Sequence, residues 1–216
     1  YEYEDALYVN LTNKCNCNCE FCLRHGRKEG SIYTEDSLWL EREPTRQEAL
    51  DSFLSRDVCS YREIVFCGYG EPTYRIEDIL WLVDQMKERF GGQLPPVRIN
   101  TNGHANLFLG RDVAPLLQGR VDTISISLNG STPEEYCAVT KPRQGMQAWD
   151  AMLDFARECK EVRAPRGHDH RGQGQDAGGD HPLPQADRGL GRYPSYPGLY
   201  PGLKQLSHMG RRARLC

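Results

Sequence analysis

The sequence predicts an α/β fold in which strands alternate with helices around a parallel sheet. Two observations lead there. Over the first 160 residues, apolar runs of strand length alternate with amphipathic stretches of helical period, and each apolar run ends in a turn signal. The residues of unusual chemistry also collect just after the apolar runs, at the strand ends where parallel sheets carry their sites.

The elements follow in order. Ala6–Leu11 reads as a first strand, Glu63–Cys67 as a second, Val97–Asn100 as a third after Pro95 and Pro96, and Val121–Leu128 as a fourth. Between the second and third, Arg75–Phe90 sets Ile76, Ile79, Leu80, Leu82, Val83 and Met86 at helical spacing and stops at Gly91 and Gly92. Ser131 and Thr132 supply a cap for a further helix, with Pro133 in its first turn and Glu134 and Glu135 where the helix dipole favours acids. Gln147–Cys159 continues the helical layer. No internal repeat is evident.

At 216 residues the chain has room for one domain of ordinary size and a tail. A net charge of −3 gives no chain-wide footprint for nucleic acid or an anionic membrane. No apolar run approaches the roughly 18 to 20 residues of a membrane span, and no charged-then-apolar leader precedes a cleavage site. A soluble cytoplasmic protein is therefore expected, with neither membrane nor nucleic acid among its partners. The chain opens on Tyr1 rather than Met, so residues before it are also expected.

Nine cysteines, four of them within the eight positions from Cys15 to Cys22, suit a metal or redox site better than a disulfide framework. Cys15, Cys19 and Cys22 have the spacing C-x3-C-x2-C, with Phe21 before the last. Three thiolates on one loop can bind three irons of a cubane cluster and leave the fourth iron open to another ligand. The second strand runs into Gly68-Tyr69-Gly70-Glu71-Pro72, the third into Thr101-Asn102-Gly103, the fourth into Asn129-Gly130.

The cysteine spacing resembles the radical S-adenosylmethionine (SAM) superfamily, and the glycine turn looks like that family's second motif. The string Tyr8–Cys15 with Cys19–Arg24 looks most like the TatD-associated radical SAM proteins. The resemblance covers roughly residues 1–160. It implies a partial (β/α)6 barrel, a [4Fe–4S] cluster on Cys15, Cys19 and Cys22, and SAM bound to the open iron. Reductive cleavage would then give a 5′-deoxyadenosyl radical that abstracts hydrogen from a substrate the sequence does not name. It further implies SAM contacts at Gly68, Gly70 and Glu71, with Phe21 against adenine and Asn102 and Ser127 toward the ribose and carboxylate. A reductant such as flavodoxin or ferredoxin would be a partner.

Plainer readings stand beside these. The four nearby cysteines could form a structural zinc site, making the chain a non-catalytic metal-binding module. Cys17 reads as a loop residue rather than a ligand. Cys59, Cys67, Cys137 and Cys159 lie on strand or helix patterns and read as core residues or isolated thiols. Asn102-Gly103 is also an ordinary turn, Ser127 also a half-buried strand serine, and His25 and His104 read as solvated loop histidines.

Near residue 160 the composition breaks. Residues 1–160 hold 11 Gly and 7 Pro; residues 161–216 hold 10 and 6, with no Ile, Phe or Trp. The charge flips from −7 to +4 across that boundary. Such a segment does not bury enough apolar surface to pack. Yet Gly167–Asp180 can be encoded so that a one-base shift reads V-M-T-I-V-D-K-D-K-T-P-E-E-I, and Gly189–Pro201 likewise hides G-L-G-V-T-L-R-I-R-V-Y-I-P. These are the two strands that a six-stranded barrel still needs. The expected organisation is a radical SAM core over 1–160, truncated after its fourth βα unit, and a frameshifted, disordered tail over 161–216. The open strand edge that truncation would leave is an aggregation hazard, and weak or absent SAM turnover is expected.

Overall fold

A computed structural model describes residues 1–22, 39–163 and the backbone of 213–215. The sheet runs in sequence order β1 (Glu2–Tyr3), β2 (Ala6–Val9), β3 (Glu63–Phe66), β4 (Val97–Thr101), β5 (Thr123–Ile126) and β6 (Ala213–Leu215). β2 to β5 are the four predicted strands, and each pairs with the next in parallel. β1 folds back antiparallel on β2, and β6 lies antiparallel to β5, pairing Ser125 with Arg214.

The helices are α1 (Arg46–Leu54), α2 (Ile76–Phe90), α3 (Ala105–Leu109), α4 (Ala114–Leu117), α5 (Pro133–Thr140) and α6 (Gln147–Arg163). When parallel strands follow one another in sequence, right-handed crossovers bring every connecting helix to the same face of the sheet. The side chains agree. Along β4, Val97, Ile99 and Thr101 are buried while Arg98 and Asn100 are only partly so, and Ile124 and Ile126 repeat the pattern on β5. Val97, Ile99, Ile124 and Ile126 share one apolar core with Phe53 of α1, Ile79, Leu82, Val83 and Met86 of α2, and Met152 and Phe155 of α6. A parallel sheet covered by helices on one side has the build of a partial barrel wall, as the sequence predicts.

Several ends are set locally. Thr45 and Glu48 form a reciprocal capping box on α1. Thr132 caps α5 by accepting from the Glu135 N–H, with Pro133 in the first turn. α2 ends where Gly91 takes φ 54°, a value glycine adopts without penalty. Among the described residues no helix is long and apolar enough to cross a membrane.

Two features depart from the expected boundary at residue 160. α6 continues to Arg163, and residues 213–215 form β6, so the far side of β5 is partly occupied rather than an open edge. The remainder of the expected frameshifted tail lies outside the described residues. β1, α1, α3 and α4 have no named counterpart in the sequence reading.

Candidate functional site

Beyond Val9 the chain leaves the sheet, and Thr12 ties the turn by accepting the Lys14 N–H (2.9 Å). The cysteine loop then docks on the end of α5. Asn18 N–H donates to the carbonyl of Thr140 (3.0 Å) and Glu20 N–H to that of Val139 (3.0 Å). Those carbonyls have no partner within their own helix, so the loop satisfies groups that α5 leaves over. In return Arg143 N–H donates to Asn16 O (2.9 Å), and Cys17 bridges to Pro142. Cys15, Cys19 and Cys22 stay half-buried along this loop, and Phe21 is 39% exposed. Cys17 turns inward and is 5% exposed. The neighbouring Cys15 and Cys19 sulfurs, with burial, push its thiol far above the usual range.

The glycine turn after β3 backs directly onto the same loop. Glu71 N–H donates to Lys14 O (2.7 Å). A Cβ on Gly70 would collide with the Thr12 carbonyl and stand 2.7 Å from the Lys14 oxygen, and one on Gly68 would enter the Asn10 side chain. At residue 70 glycine is thus a requirement of close backbone approach, while at residue 68 a larger residue would have to displace the Asn10 side chain. The Glu71 side chain is buried, and both carboxylate oxygens are engaged within the protein. One accepts from Thr73 N–H (3.1 Å), Thr73 Oγ1 (2.6 Å) and Thr101 Oγ1 (2.7 Å); the other accepts from Asn102 N–H (2.7 Å). Burial raises its pKa while those donors oppose the shift. Glu71 therefore joins the glycine turn to the end of β4.

From the end of β4, Asn102 turns its side-chain amide to the cysteine loop, 2.8 Å from Asn16 Oδ1, 3.6 Å from Cys17 Sγ and 4.0 Å from Cys15 Sγ. Ser127 lies exposed just past β5 and is held by its N–H on Thr101 O (2.9 Å). The structure thus brings Cys15, Gly70, Glu71 and Asn102 into one contiguous region, with Cys19 and Cys22 on the same loop.

His104 corrects its expected place. It is fully buried, with Nδ1 2.9 Å from Asn16 Nδ2 and Nε2 2.8 Å from the Tyr136 hydroxyl. Burial depresses its pKa to about 4, so the ring is neutral at ordinary pH. His25 lies outside the described residues. Cys159 is a core residue of α6, while Cys59, Cys67 and Cys137 are half-buried. Burial pushes the Cys67 thiol up to about 11.

The sequence reading missed a second support of the loop. Asn13 pairs its amide with both backbone groups of Leu40 (2.7 and 3.2 Å), and Thr12 Oγ1 donates to Glu43 (2.5 Å). Arg75 spans Leu11 O (3.0 Å), Pro44 O (2.9 Å) and Asp78 (2.5 Å). The chain that leaves Cys22 is thereby pinned, on its return, beside the start of the cysteine loop. Only the polar run around Glu41–Glu43 hints at this in sequence.

Three half-buried thiols on one loop, backed by the glycine turn, fit three corners of an iron–sulfur cubane and leave its fourth iron open.

A model of the "Radical SAM superfamily" matches residues 9–169. A probable GTP 3′,8-cyclase of Thermococcus kodakarensis is 30% identical over 159 residues, 74% of this chain and 45% of that protein. GTP 3′,8-cyclases of Rhizobium etli and Limosilactobacillus fermentum are 28% and 30% identical, over 62% and 68% of this chain and 35% and 40% of theirs. The chain spans less than half the length of these curated relatives. They support the broad resemblance and not, in particular, the TatD-associated one.

Proposed function

The chain belongs to the radical SAM superfamily, and from that membership we propose that Cys15, Cys19 and Cys22 hold a [4Fe–4S] cluster beside which the chain binds SAM and cleaves it reductively. The observation that carries this reading is the Glu71 N–H bond to Lys14 O, which locks the glycine turn against the cysteine loop. Two motifs more than 40 residues apart in sequence thus form one surface. When bound, the cluster and SAM would supply an adenosyl radical able to take hydrogen from a substrate.

The chain's own residues do the holding. The three cysteines supply thiolates, and the α5 carbonyls fix the loop that carries them. The backbone of Gly68–Gly70 offers polar groups to the methionine end of SAM, and Glu71 anchors that turn from below. Phe21, which is exposed, would contact adenine, and Ser127 and Asn102 would offer polar groups from the strand ends. An electron donor of the flavodoxin or ferredoxin kind belongs to the proposal. The finer likeness to TatD-associated proteins rests on the string Tyr8–Arg24 alone.

The relatives act, by name, on GTP, so GTP is the first substrate to offer this chain. The tail read as frameshifted would leave two strands of the barrel that the resemblance implies unmade, so slow turnover is expected. The test is anaerobic reconstitution with iron and sulfide, then SAM and dithionite with and without GTP, read as 5′-deoxyadenosine. A brown protein that forms product, and loses both iron and product on Cys19→Ala, supports the proposal. A colourless chain holding stoichiometric zinc overturns it in favour of a metal-binding module.

A further inference from the structure

Beneath the cysteine loop runs a closed circuit of hydrogen bonds whose direction is dictated at each step. It begins at the His104 backbone N–H, which only donates, and which reaches Asn102 Oδ1 at 3.0 Å. The Asn102 oxygen is thereby identified, so its Nδ2 faces the other way and donates to Asn16 Oδ1 at 2.8 Å. Asn16 must then present Nδ2 to its remaining neighbours, His104 Nδ1 at 2.9 Å and Gln144 Oε1 at 3.1 Å. An amide nitrogen donates and never accepts, so Nδ1 of the ring is the acceptor. The proton of the neutral ring therefore sits on Nε2 and points at the Tyr136 oxygen, 2.8 Å away. The circuit starts and ends on one residue, and His104, Asn16 and Tyr136 are all fully or almost fully buried.

One N–H is left over. Asn102 Nδ2 carries two hydrogens and uses one on Asn16; its sulfur neighbours are Cys17 Sγ at 3.6 Å and Cys15 Sγ at 4.0 Å. Were the circuit to run in reverse, Asn102 would turn its oxygen toward those sulfurs and repel the negative charge of a thiolate. A donor near a ligand sulfur favours the more negative, reduced state of an iron–sulfur cluster and raises its reduction potential.

We propose that Asn102 is a positioning residue: the His104 backbone N–H fixes its amide so that Nδ2 donates toward the Cys17 and Cys15 sulfurs, and this donor sets the potential of the cluster. The inference rests on the cluster reading above. The His104 ring closes the circuit through Asn16 and touches neither substrate nor cluster; a substitution of the ring keeps the backbone N–H and leaves the Asn102 amide facing the sulfurs.

Two measurements test it. Nitrogen-15 NMR of the apo chain at pH 7 should show His104 neutral with the proton on Nε2; a ring protonated on Nδ1 overturns the circuit whatever the chain binds. Redox titration of the reconstituted chain, followed by electron paramagnetic resonance, should show a more negative midpoint in Asn102→Ala and a midpoint near the parent's in His104→Leu. Equal midpoints in all three overturn the proposal, as does a shift in His104→Leu as large as that in Asn102→Ala. A chain that takes up no cluster overturns the proposed function instead, and the NMR result then decides the circuit alone.

Discussion

At the scale of single residues the strongest constraints come from atoms with no room to move. Gly70 stands against two backbone oxygens, and backbone yields less readily than a side chain. Gly70→Ala should cost about 1–3 kcal/mol, the usual range for overpacking, and should loosen iron binding; urea unfolding and iron analysis check both. His104 adds a pH dependence. Its folded pKa near 4 lies below the ordinary histidine value of roughly 6.5, so between those values the unfolded chain binds more protons. Stability should therefore fall as pH drops from about 6.5 to about 4, by roughly 3 kcal/mol from this residue, and hold above that window. Urea midpoints against pH for the parent and His104→Asn should diverge there. The cysteine spacing and the glycine turn are legible in sequence because their logic is local. His104 is not, because its burial depends on Tyr136, Asn16 and Ala148, none within 30 residues of it.

Among elements, α5 matters beyond its eight residues. Its first turn is capped by Thr132 and its last carbonyls hold the cysteine loop, so strain at one end reaches the other through a helix only two turns long. Thr132→Ala should cost about 1 kcal/mol and speed the loss of iron to a chelator, although the substitution lies far along the chain from every ligand. The four parallel strands and the two long helices α2 and α6 were legible from periodicity, since burial on one face writes a period into the sequence. β1, α3 and α4 were not: two to five residues are too few to show a period. α1 has a mixed apolar pattern, and its clearest sign is the Thr45 and Glu48 capping box.

For the molecule as a whole, the main question is what completes the wall beyond β5. The family match reaches residue 169, and the tail expected to be frameshifted follows from about residue 161. Reading the gene across Glu161–Asp180 decides it: codons that permit the shifted peptide support the expectation, and codons that forbid it end it. If the shift is real, restoring the frame should raise the rate of 5′-deoxyadenosine formation and lower the tendency to self-associate. The clasp between the cysteine loop and α5 has a further consequence, in time rather than in space. The loop begins at Cys15, but its partners Val139, Thr140 and Arg143 are made more than 115 residues later. At roughly 5–20 residues per second of synthesis, the thiols wait on the order of 6–25 s before the surface that orders them exists. During that interval they are open to oxidants and stray metals, so loading of the site belongs after translation, and air during expression should be more damaging than air after folding.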